Sequence, residues 1–225
     1  MRLTQTILIE ADSFISPLKK RTLSLRNLEL TSLDAIGILE SSDINSVIDI
    51  SQNHLSNIPA FPRLLRLDTL ILSGNHIRTI SGLTTLVNLE VLSVTFNEIL
   101  YLSDLEELTE IKNLRALYLT GNPVTKNKHY RSWCIWRFPT LQVLDFERVK
   151  ESERSHAKST YDENSDLVNS VLSVRSHGKV TPKQESAEVA GLTEDDRKKL
   201  ENDLEAAESL EEIQRIEEIL LRGHF

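Results

Sequence analysis

The sequence has one cysteine, Cys134, in 225 residues, so no disulfide can form within the chain. It also lacks an apolar run of the roughly 18 residues that a membrane-spanning helix needs. No charged and then apolar leader follows Met1. These absences argue against secretion and against a membrane span, and they favour a reduced, intracellular setting.

The first 150 residues have no excess of either charge, although the whole chain carries a net charge of −8. Residues 1–150 contain 16 basic and 16 acidic side chains, whereas residues 151–225 contain 10 and 18. A protein that binds nucleic acid without a partner, through the phosphates, normally has a positive net charge and a stripe of basic residues on its surface. High-affinity binding of RNA or DNA by this chain alone is therefore not expected.

The residue patterns of common catalytic and cofactor sites are missing as well. There is no glycine-rich phosphate loop, no set of acid, base and nucleophile, and Cys134 lies in an apolar stretch that predicts burial. The six histidines show no metal-ligand spacing: His54, His76, His129, His156, His177 and His224. We therefore expect no enzyme activity, no metal, no cofactor and no small-molecule substrate.

What the sequence does contain is a repeat. The pattern is clearest at residues 70–77 (LILSGNHI), and it returns at 48–55 (IDISQNHL), 92–99 (LSVTFNEI) and 117–124 (LYLTGNPV). The asparagines are 22, 22 and 25 residues apart, and degenerate copies with Leu28 and Val149 in the asparagine position flank them. Such self-similarity is typical of a leucine-rich repeat array.

The four repeat asparagines are predicted to be structural: Asn53, Asn75, Asn97 and Asn122. Each follows a short strand at the bend where the chain leaves the sheet. A buried amide can donate to and accept from main-chain groups there, and each such group left unpaired would cost about 1–3 kcal/mol. We expect this ladder of asparagines to hold successive coils together.

The predicted fold is thus an α/β solenoid with a curved parallel sheet on its concave side and short helices and turns on its convex side. Residues 1–150 form the repeat domain, with an N-terminal cap over 1–20, read as a helix over 3–18 with Thr4 as its N-cap, and a C-terminal cap over 125–150. The second cap is an aromatic-rich helical stretch that ends at Pro139 and includes Trp133 and Trp136.

The rest of the chain differs in composition. Residues 151–191 are polar and predict a mobile linker, in which 167–172 could fold on a partner. Residues 192–222 predict a C-terminal helical segment that binds a partner through an apolar stripe, as one helix or as a hairpin broken at Ser209. The stripe consists of Leu200, Leu204, Ala207, Leu210, Ile213, Ile216 and Leu220.

The open face of the sheet is the predicted binding surface. Residues two and four positions before each asparagine should project from it, and most are small around an exposed Ile71 and Tyr118, with acids nearby. A shallow trough of this kind suits a helix with basic residues at its edges. The predicted contact residues are Arg26, Asp49, Ser51, Ile71, Ser73, Ser93, Thr95, Tyr118, Thr120 and Asp145, with Ser24 and Glu147 at the same offsets.

A local basic edge lies near the C-terminal cap. Residues 126–150 contain six basic side chains and only two acidic ones. Such an edge on a neutral domain could contact phosphates that a partner presents. The basic residues of this edge include Lys126, Lys128, Arg148 and Lys150.

Several stretches resemble one known family. They are 122–131 (NPVTKNKHYR), 143–150 (VLDFERVK), 47–53 (VIDISQN), 61–67 (FPRLLRL) and 209–213 (SLEEI). Over residues 1–155 and 192–222 the chain is similar to the A-prime proteins of the U2 small nuclear ribonucleoprotein, as a fungal or otherwise divergent member.

This resemblance implies a nuclear, non-catalytic scaffold in pre-mRNA splicing. In that family the concave surface holds a helix of an RNA-recognition-motif partner, B-double-prime, and the pair binds a hairpin loop of U2 small nuclear RNA. The resemblance thus implies the same partner for the trough, RNA contact through that partner, and other spliceosomal proteins at 192–222. It also implies that the RNA lies close to Lys126, Lys128, Arg148 and Lys150.

One alternative comes from another class of protein. Repeats of 22 residues also occur in leucine-rich regulatory subunits of protein phosphatases, whose concave face holds a catalytic subunit. Those arrays tend to be longer, so the four full repeats here favour the ribonucleoprotein. Copurified RNA or copurified phosphatase activity would separate the two.

Overall fold

The structure is a computed structural model, and it describes residues 1–162, 168–169 and 171–172. Its strands are β1 (Ser13–Ile15), β2 (Arg21–Ser24), β3 (Val47–Asp49), β4 (Thr69–Ile71), β5 (Val91–Ser93), β6 (Ala116–Tyr118), β7 (Val143–Leu144) and β8 (Glu147–Arg148). Its α-helices are α1 (Gln5–Glu10), α2 (Tyr130–Arg137) and α3 (Glu151–Asp162). Three 3₁₀ helices span Ile36–Ser42, Leu102–Glu110 and Pro123–Lys126.

All eight strands form one sheet in the order of the sequence. Strands β2 to β7 are parallel, and β1 and β8 pair antiparallel at the two edges. Each parallel strand returns through a turn or a 3₁₀ helix, as a solenoid requires. This arrangement confirms the predicted leucine-rich repeat fold.

The core lies between the sheet and the outer turns. One buried residue per strand stacks on its counterpart in the next strand, since the register pairs Leu23 with Ile48, Leu70, Leu92 and Leu117 in succession. These five side chains are at most 4% exposed. Side chains alternate along a strand, so this register places the neighbouring residues on the opposite, open face.

The N-terminal cap differs from the prediction. The helix is shorter than residues 3–18: α1 begins after Thr4, whose Oγ1 accepts a hydrogen bond from the Ile7 N–H at 3.4 Å, and the chain then extends as β1. Strand β1 pairs with β2, which would otherwise be an unpaired edge. As a result Phe14 and Leu18, which a helix over 3–18 would place on its apolar face, are 50% and 82% exposed.

The predicted boundary at residue 150 is wrong. Residues 151–162, assigned to a mobile linker, form α3, which packs against α2. Ala157 and Tyr161 are buried in this contact, and the Tyr161 hydroxyl lies 2.9 Å from that of Ser132. Only a few side chains of α3 face the domain. Because the average composition of the helix is polar, composition alone does not predict that it packs against the domain.

Two later parts of the predicted linker have different outcomes. Val168, Val171 and Leu172 pack against the domain's own core, which is a correction to the prediction that 167–172 folds on a partner. The remainder of the linker and the predicted helical segment at 192–222 lie outside the described residues.

A charged pair joins α2 to α3. Arg131 Nε donates to Glu153 Oε1 at 2.8 Å, and the Lys150 main-chain N–H donates to Glu153 Oε2 at 2.9 Å. The hydrogen bond from Arg131, followed by that from Lys150, lowers the pKa of Glu153 to about 2. The stabilisation is therefore complete above pH 4.5, the ordinary pKa of the group, and is lost as the pH falls toward 2.

Replacing Glu153 with glutamine should remove this acid-sensitive contribution. We expect E153Q to be less stable than the parent by about 1 kcal/mol at pH 7, with the difference shrinking as the pH falls from 4.5 toward 2. Thermal melts at several pH values measure it. E151Q is the control, because the Glu151 side chain is 86% exposed. Parallel pH profiles for the parent and E153Q would contradict the assignment.

Candidate functional site

The four repeat asparagines have the hydrogen bonds that the sequence predicts. Asn75 Nδ2 donates to the carbonyls of Ile50, one coil back, and Leu72, in its own coil, at 3.1 and 2.9 Å. Its Oδ1 accepts from the Leu55 N–H at 3.1 Å. The amide thus supplies hydrogen-bond partners to three main-chain groups that would otherwise be buried and unpaired.

The other three amides bond in the same way. Each Nδ2 donates to a carbonyl of its own coil and to one of the preceding coil, and each Oδ1 accepts a main-chain N–H of the preceding coil. These two acceptor carbonyls are those of Leu25 and Ile50 for Asn53, Leu72 and Val94 for Asn97, and Val94 and Leu119 for Asn122. Asn53 and Asn97 each donate to a further carbonyl of their own coil, that of Ser51 or Thr95. Because all four are buried, they are supports of the sheet and not part of its binding surface.

The open face carries one continuous row of side chains, which we call the concave row: Ser24, Asp49, Ile71, Ser93 and Tyr118. The strand register aligns these residues across β2 to β6. All five are half-buried, and none is covered by the protein's own chain to the extent of a core residue. Ile71 at the middle and Tyr118 at one end supply its apolar surface.

A second row lies two residues further along each coil, and the structure corrects part of it. Ser51 and Thr95, predicted as contact residues, are only 6% and 8% exposed, because the bend of the coil encloses them. Arg26 and Thr120 are exposed, as predicted. Ser73 is half-buried, and its hydroxyl lies 2.8 Å from that of Ser93.

Asp145 is the largest departure from the predicted site. Its Oδ1 accepts the N–H groups of Leu119 and Thr120 at 2.6 and 2.9 Å, and its Oδ2 accepts the Tyr130 hydroxyl at 2.5 Å. The carboxylate therefore ties the end of β6 to α2 and is not a free acid for a partner. Burial, with this carboxylate contributing, raises the pKa of Tyr130.

The same turn brings out a residue that the sequence did not identify. Asp145 and Phe146 have φ angles of +50° and +69°, and the chain reverses there into β8. Phe146 lies two residues after the stacked Leu144, as Leu119 lies two residues after Leu117. In a regular repeat Phe146 would therefore be buried, as Leu119 is. Instead it is 72% exposed, and its ring stacks on Tyr118 with centroids 4.6 Å apart.

Phe96 is a second exposed ring in this part of the molecule. It is 67% exposed, with a φ of +53° at the bend after β5. Its ring lies over Gly121, where an added Cβ would sit 2.5 Å from Cδ1 of Phe96, so the contact requires glycine. The left-handed conformation belongs to the bend of the repeat, because every residue that precedes a repeat asparagine has a positive φ: Gln52, Gly74, Phe96 and Gly121. We call Phe96, Tyr118 and Phe146 the aromatic patch.

The four residues expected near RNA are all exposed: Lys126, Lys128, Arg148 and Lys150. Within the described part of the chain none of their side chains forms a salt bridge. Arg131 and Arg137, by contrast, are engaged with Glu153 and Glu106 at 2.8 and 2.6 Å.

The remaining candidate groups are structural or isolated. His54 and His76 stack with centroids 5.8 Å apart, as their shared repeat offset predicts. Over residues 1–162, 168–169 and 171–172, no three His, Cys, Asp or Glu side chains are grouped to hold a metal. Cys134 is buried as predicted, and burial raises its pKa. No helix in these ranges is long and apolar enough to cross a membrane.

Known proteins share both the repeat and the full length of this chain. A family model described as leucine-rich repeat matches residues 1–171. The U2 small nuclear ribonucleoprotein A′ of Schizosaccharomyces pombe is 33% identical over 99% of this chain and 98% of its own length. That of Debaryomyces hansenii is 36% identical over the full length of both chains.

A solved structure gives the same relationship. The chain is similar to one in the crystal structure of the Drosophila melanogaster SNF/U2A′ complex, with a TM-score of 0.70 and 31% identity. The match covers 76% of this chain and 99% of that one. The chain therefore belongs to the U2 small nuclear ribonucleoprotein A′ family of leucine-rich repeat proteins.

Proposed function

We propose that this protein is a nuclear, non-catalytic scaffold of the U2 small nuclear ribonucleoprotein in pre-mRNA splicing. In this proposal the concave row holds a helix of the RNA-recognition-motif partner B-double-prime, and the pair binds a hairpin of U2 small nuclear RNA. The single observation that carries it is the accessible concave row on a domain of this family. The relatives that match the full length are U2 proteins, so the phosphatase alternative is not retained.

The shape and chemistry of the concave row support a helical partner. Its central side chains are small apart from Ile71, and Tyr118 continues into the aromatic patch at one end. Large rings open to solvent are the kind of residue that dominates binding energy at protein interfaces, and Phe96 and Phe146 are 67% and 72% exposed. In this proposal the aromatic patch anchors one end of the partner helix.

The charged side chains of the face suit both a basic partner and RNA. Asp49 in the concave row and the exposed Glu147 beyond it are acidic, which suits a partner with basic residues. Lys126, Lys128, Arg148 and Lys150 remain free of salt bridges within the described residues, and they are the groups we assign to RNA phosphates. In this arrangement the partner reads the RNA sequence, and this chain adds a limited number of phosphate contacts.

Purification of the tagged protein from nuclear extract, followed by sequencing of the bound RNA, tests this function. We expect enrichment of U2 small nuclear RNA together with an RNA-recognition-motif protein. Recovery of a phosphatase catalytic subunit without U2 RNA would overturn the proposal.

The basic edge can be tested in the reconstituted complex with a U2 hairpin. Reversing two charges, R148E with K150E, should weaken hairpin binding about 10-fold or more at 0.1 M salt and lower the log–log salt slope by about 1 to 2. R63E with R66E is the matched control, since both arginines are exposed on another coil. Equal losses for both pairs would show a general charge effect instead of an RNA contact.

A further inference from the structure

The N-terminal cap leaves an apolar groove that the proposed function does not use. It has a volume of about 270 Å³ and is lined mainly by Leu8 and Ile9 of α1, by Ile38 and Leu39 of the first 3₁₀ helix, and by Ile44. Leu23 of β2 also lines it. Because Leu23 and Ser24 point to opposite faces of the sheet, the groove lies away from the concave row.

Three of the apolar side chains that line this groove are exposed to solvent. Ile9, Ile38 and Ile44 are 74%, 39% and 47% exposed. Grouped exposed apolar residues mark interaction sites more often than single ones do. The volume is below the range of about 300–1,000 Å³ that is typical of small-molecule pockets, so it suits the side chains of a protein segment.

A polar group is present within this apolar lining. Asn45 lies three residues before the stacked core residue of its strand and lines the groove. At the same position the later coils have a leucine: Leu67, Leu89 and Leu114. It is 8% exposed, and its Oδ1 accepts the Ser13 hydroxyl at 3.4 Å. A few fixed polar groups among apolar ones are typical of sites that orient what they bind.

The charges around the groove indicate the sign of its occupant. The two lining stretches, 5–13 and 38–45, contain four acids and no lysine or arginine: Glu10, Asp12, Glu40 and Asp43. Asp43 is partly satisfied by the main-chain N–H groups of Leu65 and Arg66. One cation lies at the end of the groove: Arg21 Nη1 donates to the Ser13 hydroxyl at 3.5 Å. None of the residues that line the groove is itself charged, and the charged residues beside them in these two stretches are all acidic.

We propose that this groove is a second protein-docking site, and that its occupant is an amphipathic helix of a partner with lysine or arginine beside its apolar face. A helix laid in a groove between two short helices is a common recognition mode. A second copy of this chain, with its net charge of −8, is a poorer match for an acidic groove. The proposal is independent of the one for the concave row.

The test uses the full chain with methyl-labelled isoleucine and two synthetic helical peptides of the same leucine pattern, one with lysine and one with glutamate at its polar positions. We expect saturable shifts of the Ile9, Ile38 and Ile44 methyl signals with the lysine peptide only. I9E with I38E should weaken this binding at least 10-fold. L100E is the control, because Leu100 is exposed outside the groove.

Four results would overturn the proposal. They are shifts spread over the whole surface, binding unchanged in I9E with I38E, equal binding of the glutamate peptide, or self-association through the groove seen by light scattering. The thermal melt of the double variant is recorded as well. Ile9 and Ile38 are exposed, so their replacement should leave the melting temperature nearly unchanged, and the affinity of a folded variant then decides the outcome.

Discussion

Replacing Ile71 and Tyr118 together with glutamate should abolish binding of the RNA-recognition-motif partner while leaving the protein folded. Both side chains belong to the concave row, where an interface would desolvate the new charges. We expect a loss of affinity of at least about 100-fold, or about 3 kcal/mol. Because neither residue belongs to the fully buried core, the melting temperature should change by only a few degrees. Calorimetric titration and thermal melts give the two quantities.

The matched control is L65E with V87E. These residues are also large, apolar and partly open, at 50% and 44% exposure, but they lie on the turns outside the sheet. The control pair should retain partner affinity within about 3-fold, which is below about 1 kcal/mol. If I71E with Y118E instead lost stability and affinity together, Ile71 and Tyr118 would be core residues, and the concave row would not be a free surface.

Replacing Asn75 with leucine should have the opposite effect, with a large loss of stability. The change leaves the Ile50 and Leu72 carbonyls and the Leu55 N–H buried without their partner. At about 1–3 kcal/mol for each group, the free energy of unfolding should fall by at least about 3 kcal/mol. The melting temperature should then fall by roughly 6–12 °C, from about 2–4 °C per kcal/mol for a domain of this size.

N57L provides the control for this loss. Asn57 is exposed, and its amide reaches only the neighbouring Ser56 hydroxyl, at 3.5 Å. Its replacement should change stability by less than about 0.5 kcal/mol. A melting curve of N75L that matches the curve of N57L would contradict the structural role assigned to the asparagines.

The repeat made most of the fold predictable. A strand, a bend and an outer turn recur with each asparagine, so the parallel sheet, its stacked leucines and the His54–His76 contact follow from the spacing alone. The aromatic α2 was predictable for a related reason: Trp133 and Ile135 are large apolar residues beside the last coil, where a cap must cover the core.

The ends of the solenoid were less predictable, because there the chain departs from the repeat. Strand β1 depends on the edge of β2, which a helical pattern over 3–18 does not reveal. Helix α3 depends on Glu153, Ala157 and Tyr161, which contact α2 but are too few to change a polar composition.

The candidate site was likewise predictable where it follows the repeat and not where it departs from it. The concave row follows from strand alternation, so Asp49, Ile71 and Tyr118 lie where the spacing places them. Ser51 and Thr95 follow the same alternation but are buried, since the curvature of the coil at the bend is not encoded in a two-residue period. The exposure of Phe146 depends on the left-handed turn at Asp145, and the only signal in the sequence was Val149 in place of the asparagine.

Photocrosslinking from the concave row tests the central claim most directly. A benzoyl-phenylalanine in place of Ser93, between Ile71 and Tyr118 in the concave row, is irradiated in the reconstituted complex with the RNA-recognition-motif protein and the U2 hairpin. The same group in place of Lys112, exposed on a turn outside the sheet, is the comparison. We predict crosslinks from position 93 to one helix of the partner and none from position 112. Crosslinks from position 112 with none from position 93 would contradict the account.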